Sequence, residues 1–285
     1  MNKLEKLYNE DFLKDFLYKI VDKLKTKVIA EDLSENIVNY LDKFITVKKI
    51  TKIQLDAINS ICDSLLKNQK DNITCLNLKA IIYYYFEDVV QALRNINNSL
   101  KIKKEQFIAN YIMANILIEK GSFDLALKFI DKTISLKPEC QSCLILKGII
   151  LQHKDMFDDA ISNFDKVLEK FGPNLSAMAH RSQVLLRLNK MDEALSLSDS
   201  VLSIDENNLL ALVNKGLILA KNQEYEEAIK VFNKYAENRR DIRILTHLKN
   251  CYQKLNNPQK AFEFEKEINK MVEEKRKEAE KNKKE

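Results

Sequence analysis

The sequence predicts an all-α fold, an α-solenoid of stacked helix–turn–helix hairpins, and three observations carry that prediction. Turn-forming residues are scarce: 4 Gly and 3 Pro in 285 residues are too few for the reversals and positive-φ positions that sheets and glycine-lined cofactor loops require. Alanines stand at equal intervals along the chain, at Ala92, Ala126, Ala160, Ala194 and Ala228. Twelve residues before each lies another small residue, Ala80, Ala114, Gly148, Ser182 and Gly216 in turn. Two helices of a hairpin approach closely only where side chains are small, and stacked hairpins repeat that need once per repeat.

Residues 1–72 read as an N-terminal helical segment. In it Leu13, Phe16, Leu17, Ile20 and Leu24 form an apolar stripe at helical spacing that is suited to capping the array. Within this segment, 41–70 reads as a degenerate repeat with Ala57 and Ile61 on its second helix. Residues 73–240 hold five full repeats. In the one that opens at Gln141, Leu144 and Leu151 recur at helical spacing, Phe157 opens a second amphipathic stretch, and Phe164, Val167 and Leu168 continue its apolar face. Gly121, Asp155, Asn189 and Asn222 sit between paired helices. Polar breaks such as Lys137-Pro138 and Asp205-Glu206-Asn207-Asn208 separate repeats, with Asn208 reading as an N-cap. Residues 241–270 are a degenerate capping repeat, in which Ala261 comes one position short of the period and Lys249 replaces the small partner. Residues 271–285 form a charged tail without an apolar face, expected to be frayed helix or disordered.

This pattern resembles the tetratricopeptide repeat family, whose repeat has small residues at its eighth and twentieth positions, a large apolar residue at the fourth, and often Pro at the thirty-second. Here Leu76, Leu144, Met178 and Leu212 occupy the fourth position and Pro138 the thirty-second, while Asn110 departs at the fourth and Pro173 is displaced by one residue. The resemblance implies a right-handed solenoid that serves as a protein–protein interaction scaffold or adaptor. The first helix of each repeat would line a concave groove that holds a client peptide or protein segment.

Charges sort by helix. The total is nearly balanced, Lys+Arg 47 against Asp+Glu 42, but the first helices of repeats three to six contain no acid at all. The acids Asp158, Asp159, Asp165, Asp192, Glu193, Glu224, Glu226 and Glu227 sit at or just before the second helices. Acids in a first turn complement the helix dipole, which leaves the acid-free first helices unexplained. Projected inward by repeat position, the N-terminal half of the groove presents Tyr84, Tyr85, Tyr111, Asn115, Ile145 and Ile149. The C-terminal half presents His180, Gln183, Arg187, Asn214, Lys221, Arg243, His247, Asn250 and Lys254. The expected client sets an apolar segment against the tyrosines and an acidic segment or free C-terminus against the bases. Against this stands the reading in which the tyrosines pack on the N-terminal helices and the bases are simply solvated. RNA or another nucleic acid is the rival partner, because a basic helical surface can follow a phosphate backbone, although the small–small pattern resembles the protein-binding family. Some members of that family clamp a chaperone's C-terminal carboxylate with Lys and Asn, then Asn, then Lys and Arg. The matching positions here read Ala179 and Gln183, then Asn214, then Arg243 and His247, so the first lysine is missing.

No catalytic residue, metal or cofactor is expected. Cys140-x-x-Cys143 is the one motif that invites metal or redox chemistry. Zinc would need two more ligands, and the nearest candidates, His153 and His180, lie on different predicted helices. A redox motif would need a βαβ context, so ordinary packing is expected. Five cysteines, an odd and sparse set, fit a reducing compartment. The glycines serve turns and packing rather than a phosphate loop, and the three histidines have no nucleophile signature beside them. The N-terminus, MNKLEKLYNEDFLKDF, lacks the features of a signal peptide. No stretch approaches the roughly 20 apolar residues of a membrane span, so a cytoplasmic protein without membrane insertion is expected.

Overall fold

The computed structural model of the chain describes residues 52–281, and the stripe from Leu13 to Leu24 and the opening of the 41–70 segment lie outside them. Every regular element among the described residues is an α-helix: α1 (Lys52–Asn68), α2 (Ile73–Tyr85), α3 (Val89–Ile102), α4 (Phe107–Glu119), α5 (Phe123–Leu136), α6 (Gln141–His153), α7 (Phe157–Phe171), α8 (Leu175–Arg187), α9 (Met191–Ile204), α10 (Leu209–Lys221), α11 (Tyr225–Asn238), α12 (Ile242–Lys254) and α13 (Pro258–Lys281). They fall into two compact units, divided between Lys154 and Asp155. In the N-terminal unit α2 pairs with α3 and α4 with α5, α1 lies against α2, α6 lies against α5, and the first helices α2, α4 and α6 are successive neighbours. In the C-terminal unit α8 pairs with α9, α10 with α11 and α12 with α13, while α7 lies against α8 and α8 against α10. Each unit is a stack of helical hairpins. None of the helices is long and apolar enough to cross a membrane among the described residues.

Local chemistry sets where the helices begin. Asn72, Asn174 and Asn208 stand at the same place before α2, α8 and α10, and each side-chain oxygen accepts the N–H three residues on, at 3.1, 2.9 and 3.1 Å. Asp241 does the same for α12. Before α4 that place is taken by Gln106, which is buried and bonds Asn77 and Ser99 instead of capping. Before α6 it is taken by Cys140, whose sulfur accepts the Cys143 N–H at 3.2 Å.

The turns inside the hairpins share one backbone feature. Glu87, Gly121, Asp155, Asn189 and Gln223, which recur at the period of the buried alanines, have φ between 59° and 69°. The left-handed residue of the α10–α11 turn is therefore Gln223 rather than Asn222, which ends α10 in an ordinary conformation with φ −75°. Such a φ costs a side-chain-bearing residue on the order of 1–2 kcal/mol, and only glycine, with Asn and Asp next, adopts it readily.

The small positions lie in the core. Ala80, Ala92, Ala114, Ala126, Ala160, Ser182, Ala194 and Ala228 are fully buried. In the α8–α9 hairpin the backbones come so close that the Ser182 hydroxyl bonds the Ala194 carbonyl oxygen at 2.7 Å and meets Ser198 at 2.8 Å. In α10–α11 a Cβ at Gly216 would stand 2.4 Å from a Phe232 ring carbon. On the second helix a buried residue stands sixteen positions after the small residue of the first: Ile96 after Ala80, Ile130 after Ala114 and Phe232 after Gly216 are large, while Ser198 after Ser182 is small. At the end of the stack the same two places hold Lys249 and Glu265, which form an ion pair at 3.8 Å. A packed pair has become a wet one on the hairpin that has no successor among the described residues, and α13 leaves Phe262 and Val272 exposed beyond it.

Gly216→Ala is expected to destabilise the chain by about 1–3 kcal/mol through overpacking against Phe232. Adding Phe232→Ile should restore most of that loss, since it recreates the Ala–Ile combination of two other hairpins. Urea unfolding of the two single variants and the double variant measures both effects.

Candidate functional site

The basic first helices have a structural cause. Lys79, Lys147, Arg181 and Lys215 occupy one repeat position, and each reaches back to an aspartate on the second helix before it: Asp63, Asp131, Asp165 and Asp199. The last three contacts are each 2.7 Å. Two joints break this ladder, and each breaks both sides of it: Asn97 and Met113 replace acid and base at one, Asn233 and Leu248 at the last. An acid on the first helix at this place would face an acid, so its absence is a packing constraint between hairpins. A second set of bases ends the first helices, with Arg187, Lys221 and Lys254 in the last turns of α8, α10 and α12, where a cation complements the carbonyl end of the dipole.

Some of the residues expected to face a groove do not. His180, Asn214 and His247 share one repeat position, and the structure turns that position toward the preceding hairpin. His180 stacks on Phe164 with centroids 6.0 Å apart, and His247 stacks on Phe232 at 5.3 Å. Asn214 is fully buried and donates to the Ala179 carbonyl oxygen at 2.8 Å, so it ties α10 to α8 and is not open to a ligand. The chaperone-tail clamp thereby loses its one matching asparagine. In the earlier repeats the same position holds Leu78, Ile112 and Leu146, all buried, which is the signal in the sequence that marks it as core. Arg187 is exposed, but its guanidinium bonds Asp155 at 2.8 Å and lies over the Phe157 ring.

What remains differs between the two units. In the N-terminal unit, Ile145 and Ile149 are half-buried on α6, and Tyr111 is nearly buried on α4 with its ring stacked on Phe107. Asn115 spends its amide on the Tyr111 carbonyl oxygen. Tyr84 is half-buried and donates to Glu119 at 2.6 Å. Tyr85 ends α2, and its side chain is outside the described set. In the C-terminal unit, Gln183 is half-buried, while Lys221, Arg243, Asn250 and Lys254 are exposed. Arg243 stands beside a node that the sequence did not reveal: Tyr235 donates to Asp241 at 2.8 Å, and Asp241 also accepts the Ile244 N–H. Burial works to raise the Asp241 carboxyl, but the Tyr235 hydroxyl, the Ile244 N–H and the Arg243 charge outweigh it and hold it below the usual carboxylate range.

The cysteine motif also departs from expectation. Cys140 and Cys143, expected to pack as ordinary thiols, are joined in a disulfide with Cα atoms 5.2 Å apart. Cys62, Cys75 and Cys251 are buried free thiols.

Comparison with known proteins fits this geometry. The family model of the tetratricopeptide repeat matches residues 108–140, and that of the coatomer epsilon subunit matches residues 139–281, half of the chain. The chain belongs to the tetratricopeptide repeat family and, over its C-terminal half, to the coatomer epsilon subunit family. Among solved structures it is similar to a tetratricopeptide repeat protein from Parabacteroides merdae, at 14% identity and TM-score 0.64 over 84% of this chain and 93% of that one. It is also similar to PilF of Pseudomonas aeruginosa, at 14% identity and TM-score 0.58 over 75% and 99% of the two chains. A further likeness is to a chain of the APC/C hetero-tetramer Cut9–Hcn1, at 15% identity and TM-score 0.68 over 94% of this chain and 54% of that one. These likenesses show the fold. No curated protein matches the chain.

In tetratricopeptide terms, the sixth position of each repeat here belongs to the interface between hairpins, and His247 gives that interface a titratable member. Burial first, and then the Arg243 charge, hold its imidazole below the ordinary value, against an opposing pull from Asp241. The unfolded chain therefore binds a proton in a window that opens at about pH 6.5 and extends downward. Stability should be full above that window and fall as pH drops through it. Urea unfolding at about pH 7 and about pH 5.5 should show a smaller loss for His247→Phe, which keeps a ring on Phe232, than for the unaltered chain.

Proposed function

We propose that the chain is a non-catalytic protein-interaction scaffold that binds client segments on its first helices, with protein or peptide as the partner class and the cytoplasm as its place of action. The N-terminal unit takes an apolar segment at Tyr84, Tyr111, Asn115, Ile145 and Ile149. The C-terminal unit takes an acidic segment or a free C-terminal carboxylate at Lys221, Arg243 and Lys254, with Gln183 and Asn250 offering amides to a peptide backbone. One observation carries the reading. Once the bases committed to the aspartate ladder and the position that packs on the preceding hairpin are set aside, first-helix side chains of the right chemistry still reach solvent. Half-buried isoleucines offer apolar contact without being core, and exposed Lys and Arg offer charge-assisted hydrogen bonds to carboxylates.

The test uses a displayed library of peptides with acidic C-termini, from which the tightest binder is remade with a fluorescent label for anisotropy. The variant Lys221→Glu, Arg243→Glu, Lys254→Glu should bind at least ~10-fold more weakly, a change of about 1.4 kcal/mol, while circular dichroism shows unchanged helicity. Ile149→Asp should weaken peptides that carry an apolar segment and spare those without one. Equal affinity of the triple variant for the selected peptide would refute the acidic-segment reading. A salt-steep affinity for a generic oligonucleotide, stronger than for any peptide, would move the partner class to nucleic acid.

A further inference from the structure

We infer that Cys140 and Cys143 form a reversible two-electron thiol–disulfide couple, with Cys140 as the attacking sulfur and low-molecular-weight disulfides such as oxidised glutathione as the exchange partners. The chain supplies its own comparison. The place before each first helix holds Asn72, Gln106, Cys140, Asn174 and Asn208, and the place three residues on holds Cys75, Ala109, Cys143, Ala177 and Ala211. All five residues at the second place are fully or nearly fully buried, so a cysteine there meets a need for a small side chain, as Cys75 does without any cysteine at its own cap. The cap is different. In three repeats an asparagine oxygen fills it, and a neutral thiol accepts a backbone N–H far less well. Exchanging asparagine for cysteine weakens the cap unless the sulfur has work of its own, and the repeat that makes this exchange is the one that places its second cysteine within disulfide reach, at a Cα separation of 5.2 Å.

The geometry also favours reversibility. Cys140 sits where the first unpaired N–H groups of α6 converge, and its sulfur accepts the Cys143 N–H at 3.2 Å. A helix N-terminus stabilises an anion, so reduction releases a sulfur whose charged form the helix holds, whereas the disulfide sulfur there is neutral. The bond closes a loop with only Gln141 and Ser142 between the cysteines, too short to constrain much of the unfolded chain. It makes a poor staple and a good couple. Cys140 ends an exposed turn through Pro138 and Glu139, while Cys143 is wholly buried. The Cys140 thiolate attacks one sulfur of the external disulfide and expels the other as a thiolate. Cys143 then loses its proton to solvent and displaces the second thiolate from Cys140. Two electrons pass from the dithiol to the external disulfide, and the two protons end on the two small thiols. Cys140 is itself only 2% exposed, so opening of the Lys137–Glu139 turn sets the rate.

The full-length chain is equilibrated in glutathione buffers of graded poise, quenched with acid, alkylated with isotope-coded reagent and digested with trypsin, which leaves both cysteines on the peptide 133–147. The ratio of disulfide to dithiol on that peptide should change about tenfold for each ~30 mV of poise. Cys140→Asn, which installs the cap of the sister repeats and should preserve helicity, should abolish the couple and leave Cys143 unmodified by glutathione. Cys143→Ala should accumulate a glutathione mixed disulfide at Cys140. A peptide that stays dithiol in fully oxidised glutathione, or one that stays disulfide-bonded in fully reduced glutathione, overturns the inference. So does a Cys143→Ala chain that takes up no glutathione.

Discussion

The structure depends first on how closely the two helices of a hairpin can approach. Where Ser182 and Ala194 meet, the backbones are near enough for a hydroxyl to bond the opposite helix's carbonyl oxygen. Where Gly216 faces Phe232 there is no room even for a methyl group. In three of these hairpins the small residue is matched by a large one across the pair, alanine against isoleucine twice and glycine against phenylalanine once, while Ser182 and Ser198 meet as two small residues joined by a hydrogen bond. A tightly packed interior permits little else, because a void forfeits contacts and an excess atom forces side chains off their preferred rotamers.

Stacking settles the charges in turn. A base on each first helix and an aspartate on the second helix before it meet at the joint between hairpins. Each such exposed pair stabilises by only about 0.2–1 kcal/mol, but the arrangement also excludes acids from one place on the first helices. The basic character of those helices is thus partly a by-product of assembly. The bases outside those joints, Lys221, Arg243 and Lys254, are exposed and are the ones the proposed client would meet.

The fold is almost fully legible in the sequence because its determinants are periodic. Five small–small pairs in one register specify hairpins regardless of the residues between them. The surface is less legible, since projecting a residue by repeat position tells which helix it is on more firmly than which neighbour it meets. His180, Asn214 and His247 look like ligands because they are polar, yet the leucines and isoleucine at the same position in earlier repeats mark it as interior. Gln223 escapes notice as a left-handed turn residue because it carries none of the usual chemistry, and only the repeat spacing gives it away. Cys140 reads as packing when it is compared with known metal and redox motifs, and as an exception when it is compared with the asparagines at its own position.

The aspartate ladder has a bearing on how such a chain can change over generations. Every hairpin joint with this pair offers an aspartate to a Lys or Arg, so a segment one repeat long could be duplicated or lost among those repeats and the new neighbours would still be matched in charge. The joints that hold Asn97 with Met113 and Asn233 with Leu248 are the exceptions. A repeat moved into or out of either place would leave a charge facing a neutral side chain. Those two joints are therefore seams between interchangeable repeats, and each pins the two repeats that meet at it.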